Sequence, residues 1–189
     1  RLAGSARVVS GRGANDVLSE GTRQRLLYRY LLDMVVRDSQ AGCRRIRREN
    51  PWFRRPILQA RSGVDANELA AVEPLPRMEI GAEDGELLIA VLDRPGRWMG
   101  SPDLLEAAIR ARSRAREWTP PVRLVVFGEV DAQTRAELLR RAEARDDVRV
   151  SLLGVRRPAE TLRILASCDI MARPTRVEAL SYAVLEAMA

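Results

Sequence analysis

Residues 87–92 read Leu-Leu-Ile-Ala-Val-Leu, and they open the stretch of sequence that decides the fold. An uninterrupted apolar run of this length is typical of a strand buried on both faces of a parallel sheet. Three further strands are predicted: a buried strand at 122–127, an alternating strand through Val148, Val150 and Leu152, and a short strand at 170–172, with stretches of helical period between them. The sequence therefore predicts an α/β fold: a Rossmann-like parallel sheet with helices on both faces and right-handed crossovers.

Helix boundaries between these strands are marked by residues that favour helix starts. Ser101 is an N-cap with Pro102 at the first helical position, Asp131 caps the next helix, Pro158 opens another, and 181–189 forms a closing helix. In open parallel sheets, ligands bind beyond the carboxyl ends of the strands. Four loops are therefore candidate binding loops: 93–100, 128–131, 154–157 and 173–181.

The first 85 residues are less regular. A helix is expected from Thr22, a strand-like run follows at 34–36, and a second helix is expected over 40–50. Residues 51–85 carry prolines and glycines at a density that predicts a connector. The apolar face predicted for the first helix consists of Leu26, Leu27, Tyr30 and Leu31.

The composition excludes several kinds of chemistry. In 189 residues, all 32 basic residues are arginine, and there is no histidine. Without lysine the chain has no Walker A phosphate lysine, Schiff-base lysine or Ser–Lys dyad. Without histidine it has no Ser–His–Asp triad and no His-ligated zinc. Chemistry must therefore rest on carboxylates, arginines, hydroxyls, two cysteines and backbone amides.

The cysteines and the hydropathy pattern indicate in which cellular compartment the protein is expected. Cys43 and Cys168 lie far apart and belong to no C-x-x-C pair, which favours a reducing cytosol over a disulfide framework. The chain has no apolar run of 18 residues, which argues against a transmembrane helix. It starts at Arg1 and ends at Ala189 within an apolar helical run, so we expect a fragment of a longer protein.

A basic stretch with two aromatic residues lies at 44–55, Arg-Arg-Ile-Arg-Arg-Glu-Asn-Pro-Trp-Phe-Arg-Arg. Such a stretch suits RNA or anionic lipid head groups. Aromatic residues make up only 4% of the chain, which is few for the stacking that single-stranded RNA recognition needs, so nucleic acid is disfavoured. A solvated basic helix end is the simplest interpretation, and contact with an anionic membrane is the better functional alternative.

The last candidate loop, 173–181, and the helix after it contain the residues that most strongly indicate a function. Glu178 follows the fourth strand, and Glu186 lies eight residues further on, about a turn and a half into the closing helix. The helix start near Ser181 offers unpaired backbone N–H groups that suit a phosphate. A phosphate there, with a carboxylate on either side, would hold a nucleotide-sugar. On spacing alone, two solvated surface glutamates remain the favoured interpretation.

This stretch resembles the E-x7-E signature of family 4 (group 1) glycosyltransferases, which have the two-domain GT-B fold and retain anomeric configuration. The chain keeps the family pattern at Asp169, Pro174, Glu178, Leu180 and 186–189, and it has alanine where the family has glycine after the first glutamate.

Three upstream segments extend the resemblance over about residues 20–189. The loop 93–100 resembles the family's Gly-Arg-x4-Lys-Gly loop, with Arg94 on its arginine and Gly100 on its last glycine. Residues 62–65 resemble the N-G-V-D of the interdomain connector, and 33–39 resemble the strand and serine that close the N-terminal domain.

The resemblance implies transfer of a sugar from a nucleoside-diphosphate-sugar to a sugar or lipid-linked acceptor, without metal or cofactor. Positive charge and helix dipole would stabilise the leaving nucleoside diphosphate. By this resemblance, Glu178 would bind the donor sugar, Glu186 the ribose hydroxyls and Arg94 the diphosphate. The backbone near Leu180 and Ser181 would bind sugar or phosphate oxygens, and the loop at Val155 would lie near the nucleobase.

One departure affects the phosphate loop. The family lysine falls on Met99, and loss of one phosphate cation should cost catalysis on the order of a few kcal/mol. Arg97, two residues earlier, is the candidate replacement, because a guanidinium binds phosphate bidentately.

The resemblance also implies a domain division. Residues 1–62 would end the N-terminal acceptor domain, 63–85 would be the connector, and 86–189 would be the truncated C-terminal nucleotide-sugar-binding domain. Such a fragment is expected to be inactive alone, since it cannot form the interdomain cleft. The expected location is cytoplasmic, with the inner face of the membrane as an alternative. A catalytically degenerate relative that binds nucleotide-sugar, or serves as a partner subunit, is the non-enzyme alternative.

Overall fold

The computed structural model describes residues 9–11, 21–94, 100–114, 120–175 and 181–189. Contacts divide the described residues into two units. The first contains those of Arg1–Gly63 and Val177–Tyr182, and the second contains those of Val64–Arg176 and Ala183–Ala189. The division predicted from the resemblance, at 62/63 and 85/86, stays a prediction.

The first unit contains a three-stranded parallel sheet of order β1–β2–β3. Its strands are β1 (Val9–Gly11), β2 (Met34–Arg37) and β3 (Ile57–Gln59), and its helices are α1 (Thr22–Leu31) and α2 (Gln40–Glu49). The buried residues form one cluster: Tyr28, Leu32, Val35, Cys43, Ile46, Phe53 and Ile57.

Two expectations for this unit are wrong in part. On α1 the predicted inner face is exposed at Leu26, Tyr30 and Leu31, and Tyr28 and Leu32 are buried instead. A narrow three-stranded sheet covers a single i, i+4 stripe of the helix, and the stripe chosen is one residue away from the predicted one. The side chain of Leu27 lies outside the described residues.

The predicted connector also contains a strand, β3. Proline density indicated irregular structure there, but Pro56 lies just before the strand and only its carbonyl is used: it accepts from the Val35 N–H at 3.0 Å. The Ala60 N–H then donates to the Arg37 carbonyl at 2.8 Å and completes the pairing with β2.

The second unit contains the predicted parallel sheet, in the order β6–β5–β4–β7. The strands are β4 (Leu87–Asp93), β5 (Val122–Gly128), β6 (Val148–Gly154) and β7 (Ile170–Ala172). The helices are α3 (Ala66–Ala70), α4 (Ser101–Arg114), α5 (Ala132–Glu143), α6 (Pro158–Ala166) and α7 (Tyr182–Met188), and a 3-10 turn covers Arg77–Ile80.

Apolar clusters lie on both faces of this sheet, as a run such as 122–127 requires, since all six of its residues are buried. One cluster includes Leu88, Val125 and Ile164, and the other includes Leu105 and Leu138. Helix α5 is capped as predicted, because the Asp131 carboxylate accepts from the Thr134 N–H at 2.9 Å. On α5, Leu138 is fully buried and its neighbour Leu139 is 38% exposed.

Charged residues are buried at the amino-terminal edge of this sheet. Glu86 precedes β4 and accepts from Arg123 on β5, Nε to Oε2 at 2.6 Å and Nη2 to Oε1 at 3.0 Å. Arg149 on β6 adds a contact to Glu86 Oε1 at 3.2 Å, and Arg123 Nη1 donates to the Ser151 hydroxyl at 3.1 Å. These contacts bind three adjacent strands through one carboxylate.

Burial by itself would raise the pKa of Glu86, but the opposing effects together are larger. Hydrogen bonds from Arg123 and from the Glu83 N–H, with the charges of Arg123 and Arg149, hold the pKa below its ordinary value of 4.5. A lowered native pKa stabilises the fold above the unfolded-state value, and this contribution is lost as the pH falls through the native one.

We predict that Glu86→Gln lowers the free energy of unfolding at pH 7 by about 3–5 kcal/mol, because it leaves the buried Arg123 guanidinium without its counter-charge. The difference from wild type should begin to shrink as the pH falls below about 4.5, where the unfolded chain takes up a proton at Glu86, and should be lost once the pH falls through the lowered native pKa and folded Glu86 is neutral as well. Urea titrations at several pH values measure both effects. Glu143→Gln, at an exposed position on α5, is the matched control, and an equal loss in both variants would contradict the prediction.

No helix in the described part of the chain is both long enough and apolar enough to span a bilayer.

Candidate functional site

The carboxyl ends of β4, β5 and β7 lie side by side at one edge of the second sheet. The pairing register sets Asp93 opposite Gly128 on β5 and sets Val91 opposite Ala172 on β7. The residues that follow these strands therefore emerge next to each other, at the edge where parallel sheets bind ligands.

Asp93 ends β4 and fixes the start of the loop that follows it. Its side chain is buried, its Oδ1 accepts from the Arg94 N–H at 2.8 Å, and its Oδ2 accepts from the Ser101 hydroxyl at the start of α4. Both carboxylate oxygens are thus used to join the two ends of the loop 94–100. Asp93 serves as a loop anchor here, and its oxygens are engaged within the protein.

A second tie joins this loop to the end of β7. The Gly100 N–H donates to the Pro174 carbonyl at 2.8 Å, and a Cβ at Gly100 would lie 3.0 Å from that same oxygen. On the other side of β4, a Cβ at Gly128 would overlap the carbonyl oxygen of Asp93, and Gly128 has φ 103°. Glycine is needed at both positions because backbone segments approach each other closely.

Two arginines stand at this edge, Arg94 after β4 and Arg173 after β7. Arg94 is exposed, whereas Arg173 is half-buried, and its Nε and Nη1 atoms are enclosed without an acceptor among the described residues. Burial and, second, the nearby charge of Arg94 lower the pKa of Arg173. Neither arginine forms an ion pair within the described part of the chain. The edge therefore carries two positive charges that no carboxylate of the described residues neutralises.

The other predicted site residues that the structure describes are more scattered. Val155 follows the left-handed Gly154 at the end of β6 and is 73% exposed, and Ser181 is buried immediately before α7. Glu186 is half-buried on α7 and borders a cavity of about 150 Å³. The remaining lining is mostly apolar: Leu69, Val72, Leu162, Leu165, Ala166, Ala187 and Ala189.

Three predicted site residues, Glu178, Leu180 and Arg97, lie outside the described residues, as does Met99. Their roles stay predictions, as do those of Arg94, Glu186, Ser181 and Val155. Among the residues that the structure describes, no group of three or more Cys, Asp or Glu side chains is arranged to hold a metal ion.

The sequence reasoning did not single out Arg173. Its position directly after the fourth strand, within the candidate loop 173–181, could have indicated it. The sequence does not show that Arg173 lies near Arg94, because this proximity depends on the pairing of β7 with β4.

Fold and site together define a Rossmann-like α/β protein whose second parallel sheet has two arginines, Arg94 and Arg173, at its carboxyl edge. The sequence model of the family "Glycosyl transferases group 1" matches residues 88–189, more than half of the chain, and the chain belongs to this family. No curated protein matches the chain in sequence.

Solved structures resemble the chain over most of its length. Two are of HepE from Anabaena, in complex with UDP and glucose and with UDP-glucose, at TM-scores of 0.68 and 0.69 and 17% identity; each match covers 96% of this chain and 50% of HepE. The alpha,alpha-trehalose 6-phosphate synthase from Burkholderia multivorans has a TM-score of 0.68 at 13% identity, with 87% of this chain and 43% of the synthase covered.

The chain thus spans about half the length of these structures. Their likeness confirms the predicted fold class, parallel Rossmann-like sheets with helices, as in GT-B glycosyltransferases.

Proposed function

We propose that the chain is part of a glycosyltransferase that moves a sugar from a nucleoside-diphosphate-sugar to a sugar or lipid-linked acceptor with retention of configuration. The observation that carries the proposal is the family match over 88–189, which spans the second sheet and every loop at its carboxyl edge. The Anabaena structures, whose ligands are UDP with glucose and UDP-glucose, support a nucleotide-sugar as the donor class.

The expected chemistry is stabilisation of a leaving group. As the bond between sugar and diphosphate breaks, negative charge develops on the diphosphate oxygens, and a fixed guanidinium stabilises that charge most in the transition state. Arg94 stands at the carboxyl edge of the sheet, on a loop held by Asp93, Ser101 and Gly100. Because these contacts hold the backbone at both ends of the loop, the point from which the Arg94 side chain extends needs little reorganisation during the reaction.

The two glutamates complete the proposed donor site. Glu178 would bind the donor sugar and Glu186 the ribose hydroxyls, with the backbone near Leu180 and Ser181 on phosphate or sugar oxygens and Val155 near the base. No metal or cofactor has a step in this proposal, since the arginines supply the positive charge.

We predict that isothermal titration of the chain with UDP-, GDP- and ADP-sugars shows binding of at least one donor, and that Arg94→Ala weakens it about tenfold or more through loss of a charge-assisted contact. Arg140→Ala, at an exposed position on α5, is the matched control for net charge. Absence of heat with all three donors would instead favour the degenerate, non-enzymatic relative.

The missing lysine leads to a separate prediction. We propose that Arg97 replaces the phosphate cation lost at Met99, so Arg97→Ala in the full-length enzyme should lower kcat/KM for the donor by about tenfold or more. Steady-state kinetics at varied donor concentration measures the change. Turnover equal to that of the wild type would refute the role of Arg97.

We further propose a cytoplasmic location with contact to an anionic membrane surface. Both cysteines are free, which fits a reducing compartment. In the first unit, six arginines on and after α2 are exposed, and only one of the neighbouring acidic residues, Glu49, pairs with them, through Arg45 at 2.9 Å and Arg48 at 3.7 Å. The exposed arginines are Arg44, Arg45, Arg47, Arg48, Arg54 and Arg55.

This membrane contact predicts salt-sensitive flotation with vesicles that contain an anionic lipid. Each basic residue near such a surface contributes roughly 1 kcal/mol, so Arg44→Gln/Arg48→Gln should reduce flotation markedly. The matched control is Arg135→Gln/Arg140→Gln on α5. Equal flotation of both double variants, or equal flotation with neutral vesicles, would contradict the proposal.

A further inference from the structure

The two arginines at the carboxyl edge, Arg94 and Arg173, have no carboxylate partner among the described residues. A charged group enclosed by protein is costly unless it is paired and hydrogen-bonded. Two enclosed nitrogens of Arg173 have no acceptor among the described residues, and the charge of a second cation, Arg94, lowers the pKa of Arg173 in addition to burial. The carboxylate close by, Asp93, accepts from the Arg94 backbone and the Ser101 hydroxyl instead.

Elsewhere in the same unit, one buried arginine and two half-buried ones are paired with carboxylates. Arg123 gives its Nε and Nη2 to Glu86 and its Nη1 to Ser151. Arg112 and Arg145 contact Asp147 at 3.3 and 2.9 Å. Arg173 departs from this pattern, and it does so at the edge of the sheet where ligands bind.

The position of Arg173 is also well held. It follows β7 directly, the pairing of Val91 with Ala172 fixes that strand against β4, and the next residue, Pro174, accepts from the Gly100 N–H at 2.8 Å. Proline at 174 restricts the backbone of Arg173 as well. Two arginines at the ends of paired strands, close enough for one to lower the pKa of the other, match a ligand with two linked anionic groups, and a diphosphate is such a ligand.

We propose that Arg173 is a second diphosphate-binding residue, which acts with Arg94 on the two phosphoryl groups of the donor. This inference rests on the proposed function for the identity of the ligand as a nucleoside diphosphate, but the anion site itself rests on the geometry. Arg173 supplies positive charge from β7, independently of the loop position that holds Met99. Its free nitrogens gain acceptors when the anion binds, and the repulsion between the two arginines is relieved.

The test uses inorganic pyrophosphate as the probe, in a buffer of low ionic strength without divalent cations, with the wild-type chain and Arg173→Met, Arg173→Lys and Arg140→Met. Isothermal titration should show a Kd for pyrophosphate about tenfold or more higher in Arg173→Met, a smaller loss in Arg173→Lys, and no change in Arg140→Met. Calorimetric melting without ligand provides the second measurement.

A structural role and a binding role predict opposite shifts of Tm. If Arg173 binds an anion, the unliganded protein carries an unpaired charge there, and Arg173→Met should raise Tm. If Arg173 stabilises the fold, the same variant should lower Tm. A lowered Tm, failure of this variant to fold, unchanged pyrophosphate binding or absence of pyrophosphate binding by the wild type would each overturn the inference.

The outcomes also separate this inference from the proposed function. Pyrophosphate binding that depends on Arg173, without binding of any nucleotide-sugar, would support the anion site and contradict the donor site. Nucleotide-sugar binding that is equally tight in wild type and Arg173→Met would support the donor site and overturn the role of Arg173.

Discussion

The pairing of β4 with both β5 and β7 is the constraint on which the candidate site depends. Strand β4 lies between β5 and β7 in the second sheet, and the two arginines of the carboxyl edge, Arg94 and Arg173, directly follow β4 and β7. Its register places Asp93 against Gly128 on one side and Ala172 beside Val91 on the other. Because burial on both faces fixes that register, every residue at the carboxyl edge inherits its position from the apolar core beneath it.

The elements of this sheet could be predicted because each depends on local sequence. Runs such as 122–127 are apolar enough for burial on two faces, and Asp131 and Pro158 mark helix starts that need no tertiary information. The first unit was harder. The three-residue strand β3 forms because its backbone pairs with β2. The local sequence shows Pro56, which disfavours regular structure, but it does not show that β2 lies alongside.

The site was predictable only where it followed from a motif. Arg94 could be aligned with a family arginine, whereas Arg173 matches no residue of the motif. Arg173 becomes a candidate site residue only because the structure places it near Arg94. Its significance depends on β7 lying beside β4, which is a pairing between strands that are separated in sequence by two other strands and three helices. Sequence periodicity predicts which residues are buried, but it does not predict whether a carboxylate lies close enough to an arginine to pair with it.

The arginine-only composition therefore has two opposite consequences in one sheet. At the amino-terminal edge, Glu86 neutralises Arg123 and contacts Arg149, so positive charge is used to join three strands. At the carboxyl edge, Asp93 is engaged by a backbone N–H and a hydroxyl, so the guanidinium groups of Arg94 and Arg173 remain unneutralised among the described residues. The residue type is the same at both ends, and the position of the carboxylates decides which arginines stabilise the fold and which can attract an anion. An unneutralised charge lowers stability, and the anion proposed to bind at the carboxyl edge would compensate this cost.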